Sequence, residues 1–172
     1  PMAKNVVQKC GLPVLGYDVV QQQMDAFREA GGIPVSDPAE IYKACDVILQ
    51  ILPTHPIIRN SVEQAIQYGK PGNVIVDLSS TAPDIILELY QQAKDAGMFL
   101  LDSPVSGGET GANGGSLVIM SGGEKEVFEE VKPYLLMMGK SATYMGPSGC
   151  GSTAKIANNM MVGIHLLAMD EA

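Results

Sequence analysis

Three short segments of this chain are apolar almost without interruption: Asp46 to Leu52 (DVILQIL), Asn73 to Leu78 (NVIVDL) and Met98 to Leu101 (MFLL). A strand with one wet face alternates apolar and polar residues, whereas a strand covered on both faces does not. These segments therefore read as strands of a sheet buried on two sides. Between and around them run helix-length stretches punctuated by Gly and Pro. That alternation predicts a doubly wound α/β fold with a parallel sheet.

The remaining punctuation fills in the order. Met2 to Lys9 reads as a helix with Gly11 as its stop, and Pro13 to Tyr17 as a short strand ending at Asp18. Gln21 to Ala30 reads as a helix stopped by Gly31-Gly32. Asp37-Pro38 opens another helix, running through Ala44. Helices are expected over Ile57 to Tyr68, Pro83 to Ala96 and Lys125 to Met138. Strands are expected over Leu117 to Ser121 and Thr143 to Met145. A final helix starts near Ser152 and is still running at Ala172. Residues 1–148 are expected to form one domain and residues 149–172 the start of a second, helical one.

Composition narrows the function. A net charge of −8 argues against a nucleic-acid surface, which needs clustered Lys and Arg. No apolar run reaches the roughly 18 residues of a membrane span. Cys10, Cys45 and Cys150 are odd in number and far apart, which suits reduced thiols in a cytoplasmic protein. His55 and His165 are the only histidines, and no metal site is expected around them. His165 reads as a core or interface histidine. His55 reads as a loop residue without an obvious partner.

Two stretches carry chemistry. In Gly149-Cys150-Gly151-Ser152-Thr153-Ala154-Lys155-Ile156-Ala157-Asn158-Asn159 a Gly-rich turn enters the last helix. Lys155 is followed by amides three and four residues later, so the three share one helical face. A cation and two amides aimed from an apolar neighbourhood suit a polar ligand. In Asp102-Ser103-Pro104-Val105-Ser106-Gly107-Gly108 an apolar strand breaks into a Gly-rich loop that extends to Gly115. Exposed backbone N–H groups and the Ser106 hydroxyl suit a carboxylate or phosphate. In a doubly wound fold the ligand site lies at the carboxyl ends of the strands. Asp18, Leu52-Pro53-Thr54, Ser79-Ser80-Thr81 and Ser106-Gly107-Gly108 each follow a strand directly.

Both stretches, in this order, resemble the β-hydroxyacid dehydrogenase family, and the likeness covers essentially the whole chain. The resemblance implies a Rossmann-type domain and an oxidoreductase acting on the CH–OH group of a short β-hydroxy acid or its semialdehyde. By that likeness Lys155 is the catalytic lysine. Ser106, Gly107, Gly108, Asn158 and Asn159 bind substrate, and Leu52, Pro53 and Ser80 contact the cofactor. Asp18 would accept the adenosine ribose hydroxyls and repel a 2′-phosphate, favouring NAD over NADP. Val19 follows it and no Arg is close by. The 6-phosphogluconate branch has His three residues and Glu seven residues after the lysine. Asn158 and Val162 stand there instead, which favours a small hydroxy acid.

The resemblance also implies pieces outside this sequence: a first strand with its Gly-rich phosphate turn before Pro1, and an all-helical domain after Ala172. The chain reads as an internal fragment, expected to bind NAD weakly or not at all and to lack turnover by itself. The full-length protein is expected to be a homo-oligomer. The competing expectation is a non-catalytic α/β ligand-binding or scaffolding module descended from such an enzyme.

Overall fold

The structure, a computed structural model, describes residues 1–171. Helix and strand alternate along it: α1 (Met2–Cys10), β1 (Leu15–Gly16), α2 (Gln21–Glu29), β2 (Ile33–Pro34), α3 (Pro38–Ala44), β3 (Val47–Gln50), α4 (His55–Tyr68), β4 (Val74–Asp77), α5 (Pro83–Asp95), β5 (Phe99–Asp102), β6 (Val105–Ser106), α6 (Gly108–Gly114), β7 (Leu117–Gly122), α7 (Lys125–Met138), β8 (Gly139–Gly146) and α8 (Cys150–Asp170).

The three apolar segments are the parallel heart of the main sheet. Val47 pairs with Val74 and Val74 with Phe99, so β3, β4 and β5 lie side by side in register. Their side chains divide cleanly between the two faces. Val74, Val76 and Leu101 pack under α1 and α7 with Phe128, Val131 and Leu135. Ile75 and Leu100 pack under α4 and α5 with Ile58, Val62 and Leu89. Both faces are dry, which is why neither face of these strands carries polar residues along its middle.

Two features depart from a single parallel sheet. Asp102 of β5 pairs antiparallel with Gly122 of β7, and β6 is also antiparallel to β7. The link from β6 to β7 through α6 is too short for a parallel crossover, which needs a dozen or more residues. β8 then runs parallel along the other edge of β7. In addition, β1 and β2 form a separate two-stranded parallel sheet.

Local boundaries also move. The Gly-rich stretch expected as a loop contains helix α6. β8 is longer than the expected Thr143 to Met145, and α8 starts at Cys150 rather than near Ser152. His165 is exposed on α8, its Nδ1 lying 2.8 Å from the Met161 carbonyl, so it is not a core residue. Beyond its first turn α8 leaves the sheet and exposes Ile156, Met160, Met161, Ile164, Leu166 and Leu167. Among the described residues no helix is long and apolar enough to cross a membrane.

Candidate active site

The loops that follow β3 and β4 form the first half of the site. Leu52 donates its N–H to Ser79 Oγ at 2.9 Å, tying the two loops together. Beneath them the buried Asp77 carboxylate accepts from Thr81 Oγ1 at 2.5 Å and from Gln50 Nε2 at 3.3 Å. Asp77 ends β4, so the strand terminus itself fixes the loop. Above it opens a cleft of about 550 Å³ with Leu52, Pro53, Thr54, Ser79 and Ser80 in its walls. Leu52, Pro53 and Ser80 are thus brought together as neighbours.

A second cleft, about 200 Å³, adjoins the first and holds Lys155 and Asn159. Ser152, Lys155 and Asn159 fall on one face of α8, as their spacing requires. His55 and Ser80 line both clefts and stand where the two meet. His55 is the first residue of α4 rather than a loop residue, and its place at this junction was not legible in its sequence surroundings. Lys155 is half-buried, and burial lowers its pKa from the ordinary lysine value. No carboxylate pairs with it among the described residues. Neither cleft is lined by Asp or Glu, although the chain carries 19 acidic residues. In an acidic protein this leaves a basic, acid-free recess suited to an anion.

The start of α8 is held from below. Asp102, 0 % exposed at the end of β5, accepts the Gly149 N–H on Oδ1 at 2.9 Å and the Ser152 N–H on Oδ2 at 2.7 Å. Burial raises the Asp102 pKa, and these backbone donors oppose the rise without cancelling it. Asp102 opens the Asp-Ser-Pro-Val-Ser-Gly-Gly motif, and no role for it is legible from the sequence alone. An aspartate ending an otherwise apolar strand was the available signal.

Ser106, Gly107 and Gly108 lie beside the clefts rather than in their walls, next to Val105, which lines the larger one. Asn158 Nδ2 donates to Ser106 Oγ at 3.4 Å, so α8 reaches across to β6. Asn158 and Asn159 therefore part company: one meets Ser106, the other shares the cleft of Lys155. Gly107 has φ 135°, and a Cβ there would come within 3.2 Å of Leu117 Cδ2. Asp18 stands apart, exposed just beyond β1. Its Oδ1 accepts the Val20 N–H at 2.8 Å, just before α2.

Residues 1–146 match the family described as the NAD binding domain of 6-phosphogluconate dehydrogenase. The chain belongs to this family. Within the NAD-binding-domain family, it is 33% identical over 175 residues to 2-(hydroxymethyl)glutarate dehydrogenase of Eubacterium barkeri, covering 100% of this chain and 58% of that protein. It is 35% identical over 178 residues to the mitochondrial 3-hydroxyisobutyrate dehydrogenase of Mus musculus, covering 100% of this chain and 52% of that protein. Among solved structures, a Mycobacterium tuberculosis 3-hydroxyisobutyrate dehydrogenase with L-serine matches with a TM-score of 0.94 and 29% identity. That match covers 99% of this chain and 58% of the other. An imine reductase from Myxococcus stipitatus, at 14% identity and a TM-score of 0.89, shares the fold. The chain spans a little over half the length of these relatives.

Proposed function

We propose that this chain forms the cofactor-binding half, and the catalytic lysine, of an NAD-dependent oxidoreductase. The reaction interconverts a short β-hydroxy acid and its semialdehyde. One observation carries the reading: half-buried Lys155, with Asn159, lines an acid-free cleft that shares His55 and Ser80 with the strand-end cleft.

The residues present fit a dinucleotide. The larger cleft lies at the carboxyl ends of β3 and β4, the expected place in this fold, and offers the Ser80 and Thr54 hydroxyls within an apolar frame. Asp18 keeps one carboxylate oxygen free of the Val20 contact, available to ribose hydroxyls. When bound, NAD supplies hydride acceptance and return at the nicotinamide ring. The protein's own part is placement and proton transfer. Lys155 Nζ takes the hydroxyl proton during oxidation and returns it during reduction. Asn159 orients the reacting oxygen toward Nζ. Ser106 and the N–H groups of Gly107 and Gly108 hold the substrate carboxylate, with Asn158 steadying the Ser106 hydroxyl.

The relatives named above as hydroxy-acid dehydrogenases support the substrate class. The exposed apolar residues of α8 support a surface covered in the whole protein, which we read as a homo-oligomer. Cys10, Cys45 and Cys150 are unpaired, consistent with a reducing, cytoplasmic location.

The test is steady-state turnover by the whole protein with NAD and a panel of short β-hydroxy acids. NADH formation with at least one of them is expected. Binding of NAD without turnover of any would instead favour a non-catalytic module.

A further inference from the structure

Lys155 stands one helical turn beyond the point where α8 is anchored, and a single buried side chain makes that anchor. Asp102 has no basic partner among the described ion pairs. Its charge is met by the Gly149 N–H on one oxygen and the Ser152 N–H on the other. The Ser152 N–H is one of the donors that a helix start leaves without an intrahelical partner. We propose that Asp102 is a positioning residue: its carboxylate clamps the first turn of α8 to the end of β5 and so sets where Lys155 stands. This rests on the reading of Lys155 as the proton-transfer group.

The packing around the clamp leaves α8 no slack. Gly151, between the two anchored residues, presses on the backbone of both β5 and β7. A Cβ there would overlap the Asp102 carbonyl oxygen and lie 2.6 Å from the Met120 carbonyl oxygen. Gly122, which pairs with Asp102 across the antiparallel junction, is equally close. A Cβ on it would lie 2.5 Å from Asp102 Oδ1 and 2.8 Å from Gly151 N. The carboxylate, the two glycines and the helix start thus form one rigid block. From Ser152 to Lys155 the helix advances only roughly 4.5 Å, at about 1.5 Å per residue. Displacement of the block is passed to the Lys155 backbone, from which the side chain reaches the cleft, and a misplacement of about 1 Å at the reacting group can cost roughly 10²-fold in rate.

The chemistry asks for a carboxylate in particular. Both oxygens must accept. An asparagine can accept on one side only and turns its own N–H₂ toward the other donor. Asp102→Asn is therefore a near-isosteric change that opens one side of the clamp.

The experiment uses the whole protein and three variants: Asp102→Asn, Gly151→Ala and Lys155→Ala. Gly151→Ala lifts α8 from the strands while leaving the carboxylate intact, so it carries the test if Asp102→Asn fails to fold. In both, kcat for hydroxy-acid oxidation should fall by about 30-fold or more, with NAD affinity kept within about threefold. The pH at which kcat rises should also move upward, because a displaced Lys155 regains solvent. A lowered Tm with kcat and the pH limb unmoved would overturn the proposal and leave Asp102 merely structural. Lys155→Ala separates the two levels. If it retains kcat, the assignment of Lys155 fails. If it loses kcat while both clamp variants keep theirs, only the positioning role fails.

Discussion

Asn158 on α8 and Ser106 on β6 are joined by a hydrogen bond of 3.4 Å from Nδ2 to Oγ, across 52 residues of chain. It links the two motifs that carry the chemistry, beside the recess. The bond is long, so its structural worth is small. Its proposed value lies in presenting the Ser106 hydroxyl to a carboxylate. Ser106→Ala and Asn158→Ala should each raise the KM for the hydroxy acid, by about tenfold at the usual worth of a charge-assisted hydrogen bond. The double variant should be less than the product of the two. Full additivity in that cycle would show that Asn158 and Ser106 act separately.

Gly107 should tolerate no side chain. Its φ of 135° is one that L residues avoid, and Leu117 closes the space a Cβ would enter. Gly107→Ala is expected to cost about 1–3 kcal/mol of stability. In the surviving folded enzyme the KM for hydroxy acid should rise far more than that for NAD. Equal increases would remove the carboxylate role from this turn.

Asp18→Ala tests cofactor choice. Asp18 follows β1 and already caps Val20, so the change should loosen the start of α2 slightly. Its larger effect should be on the ratio of kcat/KM for NAD to that for NADP, which should fall. A wild-type protein that already prefers NADP would contradict the role given to Asp18.

The pH profile has a defined sign. Burial lowers the Lys155 pKa, favouring the neutral amine. Oxidation needs neutral Lys155, so its kcat should climb as pH rises through a value below that of ordinary lysine. Reduction needs the protonated form and should fall over the same interval. His55 is the other titratable side chain lining that cleft, so the profile should be repeated in His55→Gln. Persistence of the limb there assigns it to Lys155; its disappearance assigns it to His55.

What the sequence made legible follows from how local each signal was. The β3, β4 and β5 strands were visible because burial on both faces writes an unbroken apolar run into Val74 to Val76 and Phe99 to Leu101. The loops around Leu52, Pro53 and Ser80 were placed by the rule that ligands gather at strand ends. The antiparallel turn at Asp102 and Gly122 was not visible, since one residue pair decides it and neither residue announces its partner. Helix α6 was hidden by its glycines, which are poor helix formers held here by tertiary packing. The place of His55 is not legible in the sequence because it lies where two clefts meet, a relation across α4, β4 and α8 that no local pattern encodes.

Everything proposed for the reaction turns on Lys155 transferring the proton. Lys155→Ala in the whole protein, measured for kcat with hydroxy acid and, by titration, for NAD affinity, tests it most directly. A fall in kcat of roughly 10² to 10⁴ is expected, the usual worth of a positioned acid or base, with NAD affinity near normal. A kcat kept within about tenfold alongside a collapse of NAD affinity would contradict it and make Lys155 a cofactor-binding residue.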